Sequence, residues 1–338
     1  MKIFLTGATG FIGSRVLCDL LQSGHQIRAL VRSGAKRGNI SEAFQLAGVA
    51  EEGLIDQVEW FDGDLSCIHA LEDALTDMEV VIHCAGAVSF NRKDKHKLWE
   101  TNVEGTKNLV DAAVSTTIKH FIHVSSIASL GRAEKGADIS EDTHWESAKR
   151  NSFYSITKYH GEMEVWRGME EGLPAVIVNP GVVLGCGDWN AGSNSLFKYC
   201  RNGNRFFTSG INGFVDVRDV SSAILILMEQ QVCSERFILV SESMSYKDLF
   251  TMICCEFGER EPKTYIAEWV VAAGVPVSAV FSRITGKMRL ITNETIRTAY
   301  GVFNYSNLKI SEKTGFKFRP LKDTISDSCS YYKKKYDN

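Results

Sequence analysis

A tyrosine followed four residues later by a lysine occurs three times in this 338-residue chain: Tyr154/Lys158, Tyr305/Lys309 and Tyr331/Lys335. Residues i and i+4 share a helix face, so such a pair can bring an ammonium to a phenol. A free phenol titrates near ~10 and shuttles protons poorly at neutral pH. A neighbouring positive charge favours the phenolate and should pull that value down, towards useful acid–base range. Only Tyr154 opens a helix after a strand end, Val124-Ser125-Ser126, inside a region of alternating strands and helices. That setting selects Tyr154/Lys158 from the three.

A second constellation points to a dinucleotide. Thr6-Gly7-Ala8-Thr9-Gly10-Phe11-Ile12-Gly13 lies between the first β-branched run and the first helical stripe. Glycines there permit a tight turn, let the backbone approach a pyrophosphate and bring helix close to strand. The helix N-terminus adds unpaired N–H groups and a partial positive charge. Three glycines alone can be a structural turn; their place directly after an N-terminal strand favours the nucleotide. Gly7, Thr9, Gly10, Phe11, Ile12 and Gly13 are therefore candidate cofactor-binding residues, and Lys158 could also hydrogen-bond the nicotinamide ribose. The second strand ends in Ala29-Leu30-Val31-Arg32-Ser33, with no acid to grip a ribose 2′-hydroxyl; Lys36 and Arg37 follow. A guanidinium at Arg32 suits a 2′-phosphate by charge and bidentate geometry. NADP(H) is the expected cofactor, with NAD(H) as the alternative and a solvated basic loop as the bland reading.

Positioning these groups requires a sheet with helices on both faces. Runs at 2–6, 27–31, 58–61, 80–83, 121–124 and 175–178 read as strands, the last ended by Asn179-Pro180-Gly181. Apolar on both faces and separated by helical stripes, they predict a parallel sheet. One long helix should carry Trp99, Val103, Thr106, Val110 and Ala113 on its buried face, and another should run from Tyr154 to Glu171. The expected fold is α/β, a Rossmann-type doubly wound sheet over residues 1–180, with 214–240 returning to it. The rest of 181–338, where only 236–240 reads clearly as a strand, is expected to form a smaller substrate-binding portion. Trp189, Asn194, Phe197, Phe206, Phe214 and Trp269 are either pocket or core residues there.

Composition narrows the class. With 44% hydrophobic and 23% charged residues and a net charge of -3, the chain reads as an ordinary soluble domain without a nucleic-acid footprint. Its nine cysteines include no CxxC, which favours reduced thiols over a metal site or disulfide framework. The first strand begins at Lys2, leaving no room for a signal peptide. The apolar stretch 269–281 falls short of the ~20 residues a spanning helix needs and reads as a buried or lid helix. A cytoplasmic protein without a transmembrane segment is the expectation.

The GxxGxxG spacing followed by Phe-Ile-Gly resembles the extended short-chain dehydrogenase/reductases, densely to about residue 181 and loosely beyond. The resemblance implies that Asp64-Leu65 contacts adenine and that Cys84, Ala85 and Gly86, within His83-Cys84-Ala85-Gly86-Ala87, line the cofactor with Pro180. It also implies that Asn102 is an active-site asparagine and that Ser126, five residues before Gly131, contacts the substrate oxygen. Ser125 is the alternative, since adjacent strand residues face opposite ways. Phe214-Val215-Asp216-Val217-Arg218-Asp219-Val220 matches an element of extended members, but Asn212-Gly213 stands where sugar-nucleotide epimerases carry Arg-Asp. No Asp-Glu pair follows Ser126, as it does in sugar dehydratases. Val88-Ser89-Phe90 and the Arg32 strand end resemble the dihydroflavonol reductase and 3β-hydroxysteroid dehydrogenase branch. The implied activity is NADP(H)-dependent reduction of a ketone or aldehyde, by a homodimer built on the Asn102 and Tyr154 helices. The alternatives are a nucleotide-sugar epimerase with retained NAD, kept open by Asn179-Pro180, and a non-catalytic NADP-binding sensor or assembly protein.

Overall fold

The β-branched runs that open the chain are buried on both sides because helices flank each of them. In the computed structural model, which describes residues 1–32, 34, 38–47, 53–132, 137–146, 151–273 and 293–336, these runs form β1 (Lys2–Thr6), β2 (Gln26–Val31), β3 (Glu59–Asp62), β4 (Val80–His83), β5 (His120–Val124) and β6 (Ala175–Pro180). The later strands are β7 (Val182–Leu184), β8 (Phe206–Phe207), β9 (Ile211–Asp216), β10 (Glu235–Leu239), β11 (Glu242–Ser245) and β12 (Thr264–Tyr265). Seven of the twelve make one parallel sheet in the order β3-β2-β1-β4-β5-β6-β10. The doubly wound α/β expectation is met.

Helices α1 (Phe11–Gln22) and α2 (Gly38–Leu46) cover one face of this sheet, and α3 (Ile68–Leu75) the other. The long helix expected after β4 is α4 (Lys95–Trp99), a π turn (Glu100–Glu104) and α5 (Gly105–Val114) in succession. With α6 (Phe153–Glu170) it packs on the α3 face, where Leu109, Val110, Phe121 and Val165 are fully buried. After α7 (Ser195–Arg201), the chain returns to the α1 face as α8 (Val217–Glu229), whose Val220, Ile224 and Leu227 lie against the sheet. It then enters the sheet as β10. Each such side chain contributes about 1.5–3 kcal/mol relative to exposure.

Two differences from the sequence reading have physical causes. The Asn179-Pro180 pair does not end its strand: β6 runs through Pro180, which pairs with Leu239. β5 has already ended opposite Val178, and Gly181 donates to Leu239 O, so the N–H that Pro180 lacks points where no strand lies. Beyond residue 181, β7, β9 and β11 form a three-stranded sheet and β8 pairs with β12. These strands are two to six residues long, too short to set a period of their own. With α7, α9 (Tyr246–Phe257) and the C-terminal helix Leu321–Tyr336 they enclose a separate apolar cluster.

β1 is flanked by β2 on one side and β4 on the other, so the winding direction reverses there. The crevice outside the carboxyl ends of β1 and β4 is where open α/β sheets bind ligands. Among the described residues no helix is long and apolar enough to cross a membrane. Residues 274–281 of the apolar stretch lie outside the described residues; its first residue, Trp269, is 74% exposed.

Candidate active site

The turn between β1 and α1 is shaped by contacts a side chain would forbid. Gly7 has a φ of +73° and faces the backbone of Cys84 and Ala85; a Cβ there would lie 2.6 Å from Ala85 N. A Cβ at Gly13 would lie 2.1 Å from Gly7 O, so α1 starts in contact with the turn. Gly10 caps α1 with no side-chain hydrogen bond and no acid in the first turn. The N–H groups of Phe11, Ile12 and Gly13 are thus suited to an anion. This cradle fits a dinucleotide pyrophosphate.

Beside it, the turn after β4 carries Cys84, Ala85 and Gly86. Thr6 Oγ1 accepts from Ala85 N at 3.2 Å and lies 2.7 Å from His83 Nδ1. His83 Nε2 lies 3.1 Å from Thr106 Oγ1, whose proton goes to Asn102 O at 2.9 Å. Thr106 must therefore accept from Nε2–H, leaving Nδ1 as the acceptor for Thr6. Burial lowers the His83 pKa to about 3, so this imidazole is a neutral link between turn and helix and not an acid–base group. Asn102 lies in the π turn and is clipped to the same loop: Oδ1 accepts from Ala87 N at 2.8 Å and Nδ2 donates to Ala87 O at 2.9 Å. Nδ2 also reaches Thr157 Oγ1 on α6 at 3.1 Å. π turns recur at functional sites because they re-aim one side chain.

Ser126, Tyr154 and Lys158 come together across this crevice. Ser126 caps the short turn after β5, accepting from Ala128 N at 3.1 Å, and its hydroxyl lies close enough to the Tyr154 phenol to act on that group's pKa. The neighbouring Ser125 points the other way, into the protein, with its hydroxyl 2.9 Å from Glu162 Oε2. Tyr154 stands in the first turn of α6, capped by Ser152, and meets the edge of Phe90 at a centroid distance of 6.0 Å. Lys158 is 5% exposed and donates to Val124 O at 3.0 Å. A Cβ at Gly86 would lie 3.5 Å from Asn102 Oδ1 and 3.9 Å from Lys158 Nζ, which puts all three around one point.

One electrostatic expectation is corrected. The Tyr154 pKa is raised: burial dominates, and the Ser126 hydroxyl only opposes it. Lys158 is turned to a carbonyl and not to the phenol, and burial lowers its own pKa to about 8. An ammonium aimed at a backbone carbonyl does little for a phenolate.

The other YxxxK pairs lie elsewhere. Lys335 Nζ does meet Tyr331 OH, at 2.8 Å, but on the C-terminal helix, where it also pairs with Glu42. Lys309 is turned to Glu235. A cavity of about 400 Å³ borders Phe11, Arg15, Cys186, Arg218 and Tyr331 on the outer side of the glycine turn. Neither Ser126 nor Tyr154 lines it, so the acid–base chemistry does not sit there.

At the adenosine end, Arg32 is exposed just past β2, near enough for its charge to help hold the Asp64 carboxyl below its usual range, after the Ser66 hydrogen bonds. Lys36 and Arg37 fall outside the described residues. Asp64 itself accepts from Ser66 N at 2.8 Å, and Leu65 is buried under Gly105. Pro180 closes β6 at the same sheet edge. Of the suggested pocket residues, Phe197 and Phe214 are fully buried in the C-terminal cluster, and Trp189 stacks on Tyr336 with ring centroids 3.9 Å apart. Asn194 is also buried, whereas Phe206 and Trp269 are exposed. Missed entirely was Glu162, 0% exposed and one turn beyond Lys158; the i+4 spacing was its one visible signal.

A model of the NAD dependent epimerase/dehydratase family matches residues 3–239. The chain belongs to this family. A protein of Synechocystis sp. provisionally named dihydroflavonol 4-reductase is 24% identical over 336 residues, 97% of this chain and 94% of that one. Cinnamoyl-CoA reductase 1 of Petunia hybrida is 24% identical over 345 residues, 98% of this chain and 92% of its own length. Among solved structures, that of gox2253 superposes with a TM-score of 0.82 at 29% identity, covering 99% of this chain and 98% of that one. The family is one of short-chain dehydrogenase/reductase enzymes, and the chain is an NAD(P)-dependent enzyme of that kind.

Proposed function

We propose that this family member reduces a ketone or aldehyde with NADPH, Tyr154 serving as the acid. The observation that carries the reading is the meeting of the Ser126 hydroxyl and the Tyr154 phenol above Lys158, beside the glycine cradle. A bound nicotinamide supplies hydride to the carbonyl carbon. Ser126 donates a hydrogen bond to the carbonyl oxygen, and Tyr154, a phenol already protonated at neutral pH and held so more firmly by burial, delivers the proton that makes it a hydroxyl. Lys158 contributes charge and a donor to the ribose side, and Asn102 holds the floor of the crevice by clipping Ala87 to α6. Arg32 selects the 2′-phosphate.

The test is a panel of carbonyl compounds followed by NADPH absorbance, on protein first examined for retained cofactor. Oxidation of NADPH with one compound class supports the reading. A second reading, a nucleotide-sugar epimerase, is favoured by Asn179-Pro180 at the sheet edge and by the family's epimerase members. Co-purified NAD, with no net oxidation of added NADPH by any compound, selects that reading and ends the reductase one. The sensor alternative has less support, because Ser126, Tyr154 and Lys158 are all present and together.

A further inference from the structure

Glu162 is a fully buried carboxylate beside the candidate acid–base group. Its Oε1 accepts from Arg236 Nη1 at 2.9 Å. Its Oε2 lies 2.9 Å from Ser125 Oγ, 2.6 Å from Ser129 Oγ and 2.9 Å from Asn179 Nδ2. The Ser129 hydroxyl spends its one proton on that carboxylate, and Ser129 reaches the Ser126 carbonyl through its backbone N–H at 3.0 Å, while Asn179 Nδ2, with two protons, can serve both Oε2 and that carbonyl, the latter at 3.1 Å. One carboxylate oxygen therefore fixes the two groups that hold the backbone of Ser126. Arg236 in turn is anchored on the carbonyl of Glu141, whose carboxylate accepts from Ile238 N.

Stability alone does not explain this arrangement. A buried ion pair is often matched or bettered by apolar residues of equal volume, whereas loss of one partner leaves a charge unpaired. What an apolar pair could not do is hold Ser129 and Asn179, or place a negative charge one helical turn from Lys158. The titratable groups whose charge reaches that lysine are Glu162 on its own helix, His83 and Cys84 from β4 and its turn, and His123 from β5. Burial keeps both histidines and the Cys84 thiol neutral. Of this set, Glu162 is the group that carries a charge opposite to the ammonium.

We propose that Glu162, locked by Arg236, is a positioning residue: through Ser129 and Asn179 it sets the angle at which Ser126 meets Tyr154, and it maintains Lys158 as an ammonium. The proposal rests on the reading of Tyr154 as the acid–base group, and its test has one arm that needs no turnover.

Three variants decide it: Glu162→Gln, Arg236→Gln and the double Glu162→Gln/Arg236→Gln, the last restoring charge balance where a single change leaves the protein unfolded. In the cofactor-free proteins, competitive acetylation read by mass spectrometry gives the Lys158 titration. The double variant should show a roughly fivefold larger free-amine fraction at pH 7 than the wild type, the change that a drop of one pKa unit from about 8 produces. In turnover, it should keep a melting temperature within a few degrees of wild type and an unchanged NADPH KM, yet lose about 30- to 100-fold in kcat. Its alkaline rate limb should move to lower pH. An unchanged Lys158 titration overturns the proposal, as does a double variant that regains kcat together with its melting temperature. A wild-type chain silent toward every carbonyl compound ends the reductase reading instead, while the Lys158 titration still decides this one.

Discussion

Burial drives Tyr154 and Lys158 in the same direction, toward the uncharged form of each. For a reductase that is a workable division: the phenol stays protonated and available as an acid, while the lysine titrates near the working pH. Tyr154→Phe should reduce kcat by about 10²–10⁴-fold, the span typical of a lost general acid, with NADPH binding by fluorescence titration little changed; wild-type turnover in that variant removes Tyr154 from the reaction. Lys158, with a pKa lowered to about 8, loses its charge as pH rises through that value, so the reduction rate should fall on the alkaline side of pH 8. The same lowering makes a stability prediction. Between pH 8 and the unfolded value of 10.5 the unfolded chain binds the extra proton, so this lysine destabilises the fold below pH 8 and stops doing so as pH approaches 10.5. Lys158→Met should therefore raise stability at pH 7 by about 1–3 kcal/mol, as measured by denaturant unfolding, and the gain should shrink towards pH 10. Arg32→Asp should shift the ratio of NADP to NAD affinity towards NAD by tenfold or more, about 1.4 kcal/mol; an unchanged ratio leaves the exposed guanidinium without that role.

Among the elements, the glycine turn and the π turn work as a pair. Gly7 and Gly13 are required for different reasons, one by its positive φ and one by the approach of α1 to Gly7 O. Gly10 is less constrained, since a Cβ there would sit 3.2 Å from that same oxygen. Gly13→Ala should thus cost about 1–3 kcal/mol, as overpacking does, and weaken cofactor binding, while Gly10→Ala should leave the melting temperature near wild type. Equal losses for the two would contradict the contact described here. The turn motif was visible in the residue string because its function depends on residues adjacent in sequence. The break in the helix at Asn102 was not, since nothing in Trp99-Glu100-Thr101-Asn102-Val103 departs from an ordinary helical stripe; the loop contact with Ala87 and the packing on Thr157 create it.

For the whole molecule, the extended-family resemblance implies a homodimer through the helices that carry Asn102 and Tyr154. Within the chain, Trp99 and His160 pack on each other between these helices, with ring centroids 5.4 Å apart and His160 exposed. Light scattering should give the mass of two chains, and His160→Glu should shift it towards one; a monomeric wild type discards the arrangement. The C-terminal half is where reading from sequence was weakest. Phe197, Phe214 and Trp189 read as core residues before pocket residues, yet an aromatic side chain suits both. Phe197 and Phe214 are fully buried in the core beside the C-terminal helix, and Trp189 packs on that core from its rim, stacked on Tyr332 and Tyr336.

Local order and short-range chemistry were legible in the residues alone: six β-branched runs, a turn that only glycine can make, and a phenol and an amine on one helical face. Each depends on positions a few residues apart, where backbone geometry sets the distance. What only the fold decided is how segments far apart in the chain meet. Which serine faces the phenol, where the lysine points, why Pro180 belongs in a strand, and the burial of Glu162 against Arg236, 74 residues later, follow from the register of β5, β6 and β10 and from the dielectric inside. Neither register nor dielectric is a property of any short stretch of sequence.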